Sequence, residues 1–140
     1  MKVYFYHTQN IQYCLSKMHQ GEFPSHFLYG ACHLASSGID VVYHRSPSKE
    51  KSRLKTTIYT AWQVLTCHEH IDAVYATHYK GVELLVLLRA LGIFRKPIVV
   101  WHHQPIVTPK SKLREWGGRL FYRGMDRLIF FSQKLVDDSL

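Results

Sequence analysis

Apolar and polar positions alternate along the chain with two different periods, and the change from one to the other divides it into elements. The sharpest stretch is Pro97-Ile98-Val99-Val100-Trp101-His102-His103-Gln104-Pro105. A continuous apolar run this short, closed by proline on both sides, predicts a strand covered on both faces, as in a parallel sheet. Lys2 to Tyr6 predicts a first strand, with Val3 and Phe5 alternating with Tyr4 and Tyr6. Ile39 to Tyr43, Asp72 to Ala76 and Asp126 to Ser132 predict three more. Between them the spacing lengthens to three and four residues. From Pro24 and Ser25 to a capping Gly38, Phe27, Leu28, Ala31, Leu34 and Ala35 mark one helical face. Leu54 to Cys67 predicts a second helix with Ile58, Ala61, Trp62 and Leu65 as its apolar stripe. Gly81 to Leu91 predicts a third, capped by Gly92. Lys110 to Arg123 predicts a basic helix with Leu113, Trp116, Leu120 and Phe121 inward. Gln133 to Leu140 reads as the first turns of another. The polar stretch from His7 to Glu22 is expected to be a long loop, as are Arg45 to Arg53 and Thr77 to Lys80.

Strands that take turns with helices at this spacing imply βαβ units. With right-handed crossovers these build an α/β domain, a doubly wound parallel sheet with helices on both faces. Residues 1–140 are expected to form one such domain. Ligands of open α/β sheets bind past the carboxyl ends of the strands, where His102 and His103 fall. The ending Val136-Asp137-Asp138-Ser139-Leu140 carries no helix-closing signal. It raises the expectation that the chain is a piece of something larger.

Composition narrows this. Hydrophobic residues make up 46% of the 140, which argues against disorder. No apolar run reaches membrane-spanning length, and Met1-Lys2-Val3-Tyr4-Phe5-Tyr6 is too short and aromatic for a secretory signal. Cys14, Cys32 and Cys67 are odd in number and far apart, so neither a disulfide framework nor a zinc ribbon is indicated, and a reducing, cytoplasmic setting fits. The net charge of +8 favours an anionic partner: nucleic acid, anionic lipid or a phosphorylated substrate. The plainer alternative is a solvated surface that only keeps the protein soluble. No recognised nucleic-acid motif is present. The ten histidines are mostly scattered. His68 and His70 form a spaced pair with no third metal ligand in view.

Four features then fall in order. Gly21-Glu22-Phe23-Pro24-Ser25-His26 precedes the first predicted helix, which closes with Ala35-Ser36-Ser37-Gly38-Ile39-Asp40-Val41. Asp72-Ala73-Val74-Tyr75-Ala76-Thr77-His78, Pro97-Ile98-Val99-Val100-Trp101-His102-His103 and Asp126-Arg127-Leu128-Ile129-Phe130-Phe131-Ser132 end three strands. In this order and spacing the chain resembles the amino-terminal half of the family-4 glycosyltransferases, retaining enzymes of the GT-B type. The resemblance spans the whole chain but only about one half of such an enzyme. It implies a Rossmann-like domain that binds the sugar acceptor, facing a second domain that holds a nucleotide-sugar donor.

The resemblance also implies roles. The loop around Gly21 would approach the donor phosphates; a glycine lets backbone come close to phosphate. His103, with His102 one residue off, matches the family's histidine and would meet a sugar hydroxyl or the charge that develops in transfer. The acceptor, a glycan or a lipid-linked sugar, would lie over Gln9, Asn10, His26, His78 and Tyr79. No metal or cofactor is implied, the nucleotide-sugar being a substrate. The pairing of Gly residues often found in the family's first loop is reduced here to Gly21, and the donor half with its paired glutamates is absent from this sequence.

Each residue has a plainer reading. Gly21 serves equally as a turn residue, His102 and His103 as polar strand ends, and His26 as a surface residue of a first helical turn. Lys110, Lys112, Arg114, Arg119, Arg123 and Arg127, interleaved with Trp116, Phe121 and Tyr122, suit an anionic membrane surface of the kind on which family-4 enzymes of cell-surface glycan synthesis often work. They suit equally an amphipathic helix with its aromatic side buried. Two other functions stay open: a stand-alone module that binds a phosphorylated or nucleotide ligand without catalysis, and, on charge alone, a nucleic-acid-binding domain.

Overall fold

The computed structural model describes residues 1–46, 52–107 and 109–139. Five strands, β1 (Lys2–Tyr6), β2 (Asp40–Tyr43), β3 (Ala73–Ala76), β4 (Ile98–His102) and β5 (Arg127–Phe130), pair in parallel in the order β2-β1-β3-β4-β5. Five α-helices join them: α1 (Ile11–His19), α2 (Arg53–Cys67), α3 (Glu83–Ala90), α4 (Lys112–Arg123) and α5 (Gln133–Asp137). This is the expected doubly wound, Rossmann-like α/β sheet. The side-chain period of two sorts each strand onto two faces. Tyr4, Tyr6, Val74, Ala76, Ile98 and Val100 meet α2, α3 and α4 through Val64, Leu85, Val86 and Phe121. Phe5, Val41 and Tyr75 meet the other face, with Ile11, Cys14, Leu28 and Ala31. The order reverses between β1 and β3, so the chain leaves these strands toward opposite faces and a crevice opens at their carboxyl ends.

Four expectations are corrected. The stretch His7 to Glu22 is not a loop: it contains α1. Asn10 caps that helix, its Oδ1 accepting the Tyr13 N–H at 3.1 Å, and Ile11 and Cys14 are buried beneath the sheet. The stretch from Pro24 to Gly38 is not one helix but three short 3₁₀ turns, Ser25–Leu28, Ala31–His33 and Ala35–Ser37. Tyr29 and Gly30 are left-handed, with φ of 50° and 79°, and no right-handed helix passes through two such residues. Gly38 does close the segment, at φ 74°.

On α2 the buried face is turned from the expected stripe. Thr57, Thr60, Ala61 and Val64 are inside, while Ile58 and Trp62 are 51% and 67% exposed and Leu65 is at the surface. The threonines bury because their hydroxyls are satisfied there: Thr57 Oγ1 accepts the Leu84 N–H at 3.0 Å and Thr60 Oγ1 donates to the Thr56 carbonyl. On α4, Leu113 and Trp116 face solvent, 77% and 64% exposed, and Phe121 and Tyr122 take the inward side. The expected loop Arg45 to Arg53 falls outside the described residues at 47–51, and Leu140 lies outside them too.

One tie and two close approaches fix the elements around this sheet. Asp126, before β5, accepts two hydrogen bonds from Arg89 of α3 and one from the Ile98 N–H of β4. Burial alone would raise its carboxyl, but these donors outweigh it and hold the pKa below the usual carboxylate value. Gly81, at φ 97°, lies against Tyr6: a Cβ there would stand 1.8 Å from the Tyr6 hydroxyl. Gly124 lets α4 approach α3, where a Cβ would meet the Val86 carbonyl at 1.9 Å.

Candidate functional site

The crevice between the loops after β1 and β3 is a cavity of about 730 Å³. β1 delivers His7, Thr8 and Gln9; β3 delivers Thr77 and His78; β4 and β5 end in His103 and Phe131. The 3₁₀ segment adds His26, Phe27 and Tyr29 over the same space. None of its described lining residues is Lys, Arg, Asp or Glu.

The imidazoles are fixed by backbone partners, and the partners decide which nitrogen carries hydrogen. His7 Nδ1 accepts the Gln9 N–H at 3.0 Å, and His78 Nδ1 accepts the Lys80 N–H at 3.0 Å. In both rings the proton therefore sits on Nε2. His103 is reversed. Its Nε2 bonds the Thr77 carbonyl at 2.7 Å, and a carbonyl only accepts, so neutral His103 has its lone pair on Nδ1. The His78 and His103 rings stack, centroids 5.1 Å apart and 14° from parallel. Burial, then the neighbouring His103 and Lys80, lower His78 to about 4. Burial also lowers His7. His7 and His78 thus face the cavity as neutral rings with Nε2–H donors, and the neutral form of His103 adds an acceptor.

Aromatic faces complete it. Phe131 lies 4.8 Å from His103 and 4.9 Å from Trp101, centroid to centroid, and Tyr29 is 5.6 Å from Trp101. Trp101 Nε1 donates to the Tyr75 hydroxyl, which donates to the Tyr29 carbonyl at 2.7 Å. That chain holds Tyr29 in its left-handed conformation. Among the described residues Tyr29 is the only non-glycine with positive φ. A strained backbone beside a cavity points to a held position rather than a passive turn.

Of the residues singled out from sequence, Gln9, His26, His78 and His103 come together here. His102 and Tyr79 do not. Their rings stack, 5.7 Å apart, on the α4 side of the sheet, where they line a second cavity. Asn10 is the cap of α1. Gly21 sits at φ 75° just past α1, its N–H donated to the Met18 carbonyl, and lines neither cavity. Sequence reasoning missed His7, Tyr29, Trp101 and Phe131. His7 was findable, since it follows β1 as His103 follows β4. Among the described residues no cluster of three or more His, Cys, Asp or Glu side chains is placed to hold a metal ion, and no helix is long and apolar enough to cross a membrane.

Comparison of the chain with known protein families, with curated proteins and with solved structures finds no match.

Proposed function

We propose that this chain is the acceptor-binding domain of a glycosyltransferase of the family-4, GT-B type, which passes a sugar from a nucleotide-sugar to a glycan or lipid-linked acceptor in cell-surface polysaccharide or glycoconjugate synthesis. The observation that carries the reading is the cavity, with no Lys, Arg, Asp or Glu among its described lining residues, in which His7 and His78 offer Nε2–H donors, neutral His103 offers the Nδ1 lone pair, and Tyr29, Trp101 and Phe131 offer ring faces. A sugar ring has the matching features: hydroxyls that both give and accept hydrogen bonds, and a C–H face that packs on aromatic rings. His103 is the group placed to accept from the acceptor hydroxyl, at the end of a rigid strand. The donor belongs to a second domain in this reading. The exposed Leu113 and Trp116, beside Lys110, Lys112 and Arg114, support peripheral contact with an anionic membrane from the cytoplasmic side.

The test is a calorimetric titration of the chain with a panel of neutral mono- and disaccharides. At least one is expected to bind saturably, and His103→Ala and Phe131→Ala are each expected to weaken it about tenfold or more, a loss near 1.4 kcal/mol, with the circular dichroism unchanged. No saccharide binding, or binding indifferent to both substitutions, overturns the reading.

A further inference from the structure

The second cavity, of about 710 Å³, lies across β4 from the first, between α4 and the segment after His103. Its chemistry is of another kind. Arg119, Tyr122 and Arg123 of α4 line it, opposite Pro105, Ile106 and Val107. We propose that this cavity binds an organic phosphate, its phosphate held by Arg119 and Arg123 and its carbon chain lying on Pro105, Ile106 and Val107.

The polar groups in the cavity argue for an anion. His102 is buried and fully engaged: its Nδ1–H goes to the Gln104 carbonyl, so its Nε2 accepts the Tyr122 hydroxyl at 3.0 Å. Neither His102 nor the Tyr122 proton is left for a ligand. The cationic groups that remain are the two guanidiniums, Arg119 and Arg123. Arg123 makes no ion pair among the described residues. Arg119 pairs with Glu115, which also lines the cavity, at 2.7 Å, but the Arg119 side chain is 77% exposed and an exposed pair one helical turn apart is weak. A doubly charged phosphate, which planar guanidinium forks match two oxygens at a time, outcompetes a single carboxylate for it. The apolar wall argues for the rest of the ligand. Inorganic phosphate would leave Pro105, Ile106 and Val107 unmatched, and a hydrocarbon substituent covers them.

This inference does not need the sugar-transfer reading.

The experiment titrates the intact chain with octyl phosphate, inorganic phosphate, uridine diphosphate and octyl glucoside in one low-salt buffer. Octyl phosphate is expected to bind about tenfold or more tightly than each of the other three. Arg119→Ala and Arg123→Ala are each expected to weaken it about fivefold or more, Arg123→Lys less than Arg123→Ala, and His103→Ala not at all. Both arginines are exposed, so the variants are expected to keep the parent melting temperature. Equal affinity for octyl glucoside, or binding that survives the double alanine variant, overturns the phosphate site. Tighter binding of inorganic phosphate or of the nucleotide overturns the apolar part. Loss of octyl phosphate binding in His103→Ala moves the ligand to the first cavity and overturns the assignment. Because Arg119 and Arg123 line only the second cavity and His103 and Phe131 only the first, failure here leaves the saccharide titration standing, and the reverse.

Discussion

His102 and His103 are neighbours in sequence and occupy opposite sides of β4, and the two cavities differ as these two rings do. His102 has both nitrogens engaged, by Gln104 and Tyr122, and the cavity it borders draws its remaining polar character from Arg119, Arg123 and Glu115. His103 has one nitrogen engaged, by Thr77, and borders a cavity with no Lys, Arg, Asp or Glu among its described lining residues. The pleat sends adjacent side chains to opposite faces, so one strand end serves two chemistries. What differs is the carbonyl or hydroxyl that meets each ring. The same alternation divides His78 from Tyr79 after β3.

The largest effect is expected where both cavities share a support. Gly81 follows His78 and Tyr79, and a side chain there meets an unfavourable φ and the Tyr6 hydroxyl together. Gly81→Ala is expected to cost roughly 2–5 kcal/mol in chemical denaturation and to weaken ligands of both cavities. Gly124→Ala separates them. It pushes α4 off the Val86 carbonyl, and is expected to cost roughly 1–3 kcal/mol and to weaken octyl phosphate far more than a saccharide. Asp126→Asn acts at the opposite end of the strands. It gives up the charge that Arg89 and the Ile98 N–H hold, with an expected loss of about 1–3 kcal/mol in denaturant and unchanged binding in either cavity well below the melting temperature.

A further effect is one of pH. His44 and His78 are both lowered to about 4 by burial, from an ordinary 6.5. Between these values the unfolded chain binds protons that the folded chain refuses, so stability falls as pH drops from 6.5 toward 4 and is flat above. Asp126, held below 3.8, adds a further loss only at lower pH. Melting curves from pH 8 to 4 check this. His44→Gln is expected to make the slope shallower while leaving saccharide binding as it was, because His44 lines neither cavity.

The sheet was legible because its strands are short, apolar and bounded by Pro, Gly and Asp, and because strand ends announce where a ligand can sit. That rule found His103 and His78. The helices were read less well, for reasons that lie in single residues. α1 hides its Ile11, Cys14 and Met18 stripe among Gln, Lys and His, with Asn10 as the overlooked start. The spacing of Phe27, Leu28 and Ala31 fits a helix, but it says nothing about the backbone at Tyr29, which tertiary hydrogen bonds set. Thr57 and Thr60 look polar in sequence and are apolar surface once their hydroxyls are bonded. Trp101 and Phe131 look like core because they sit at strand ends among apolar neighbours, and only the uncovered side of the sheet makes them a wall.

Tyr29 has a consequence for anyone who improves this protein by selection. A tyrosine at φ 50° costs roughly 1 kcal/mol that glycine would not. Glycine would remove that cost but also the ring that packs against His7, Trp101, His103 and Phe131, so a library screened for heat resistance alone is expected to keep an aromatic ring at this position. Screened for retained ligand instead, the same library also keeps a ring there, so the backbone cost is carried under either selection.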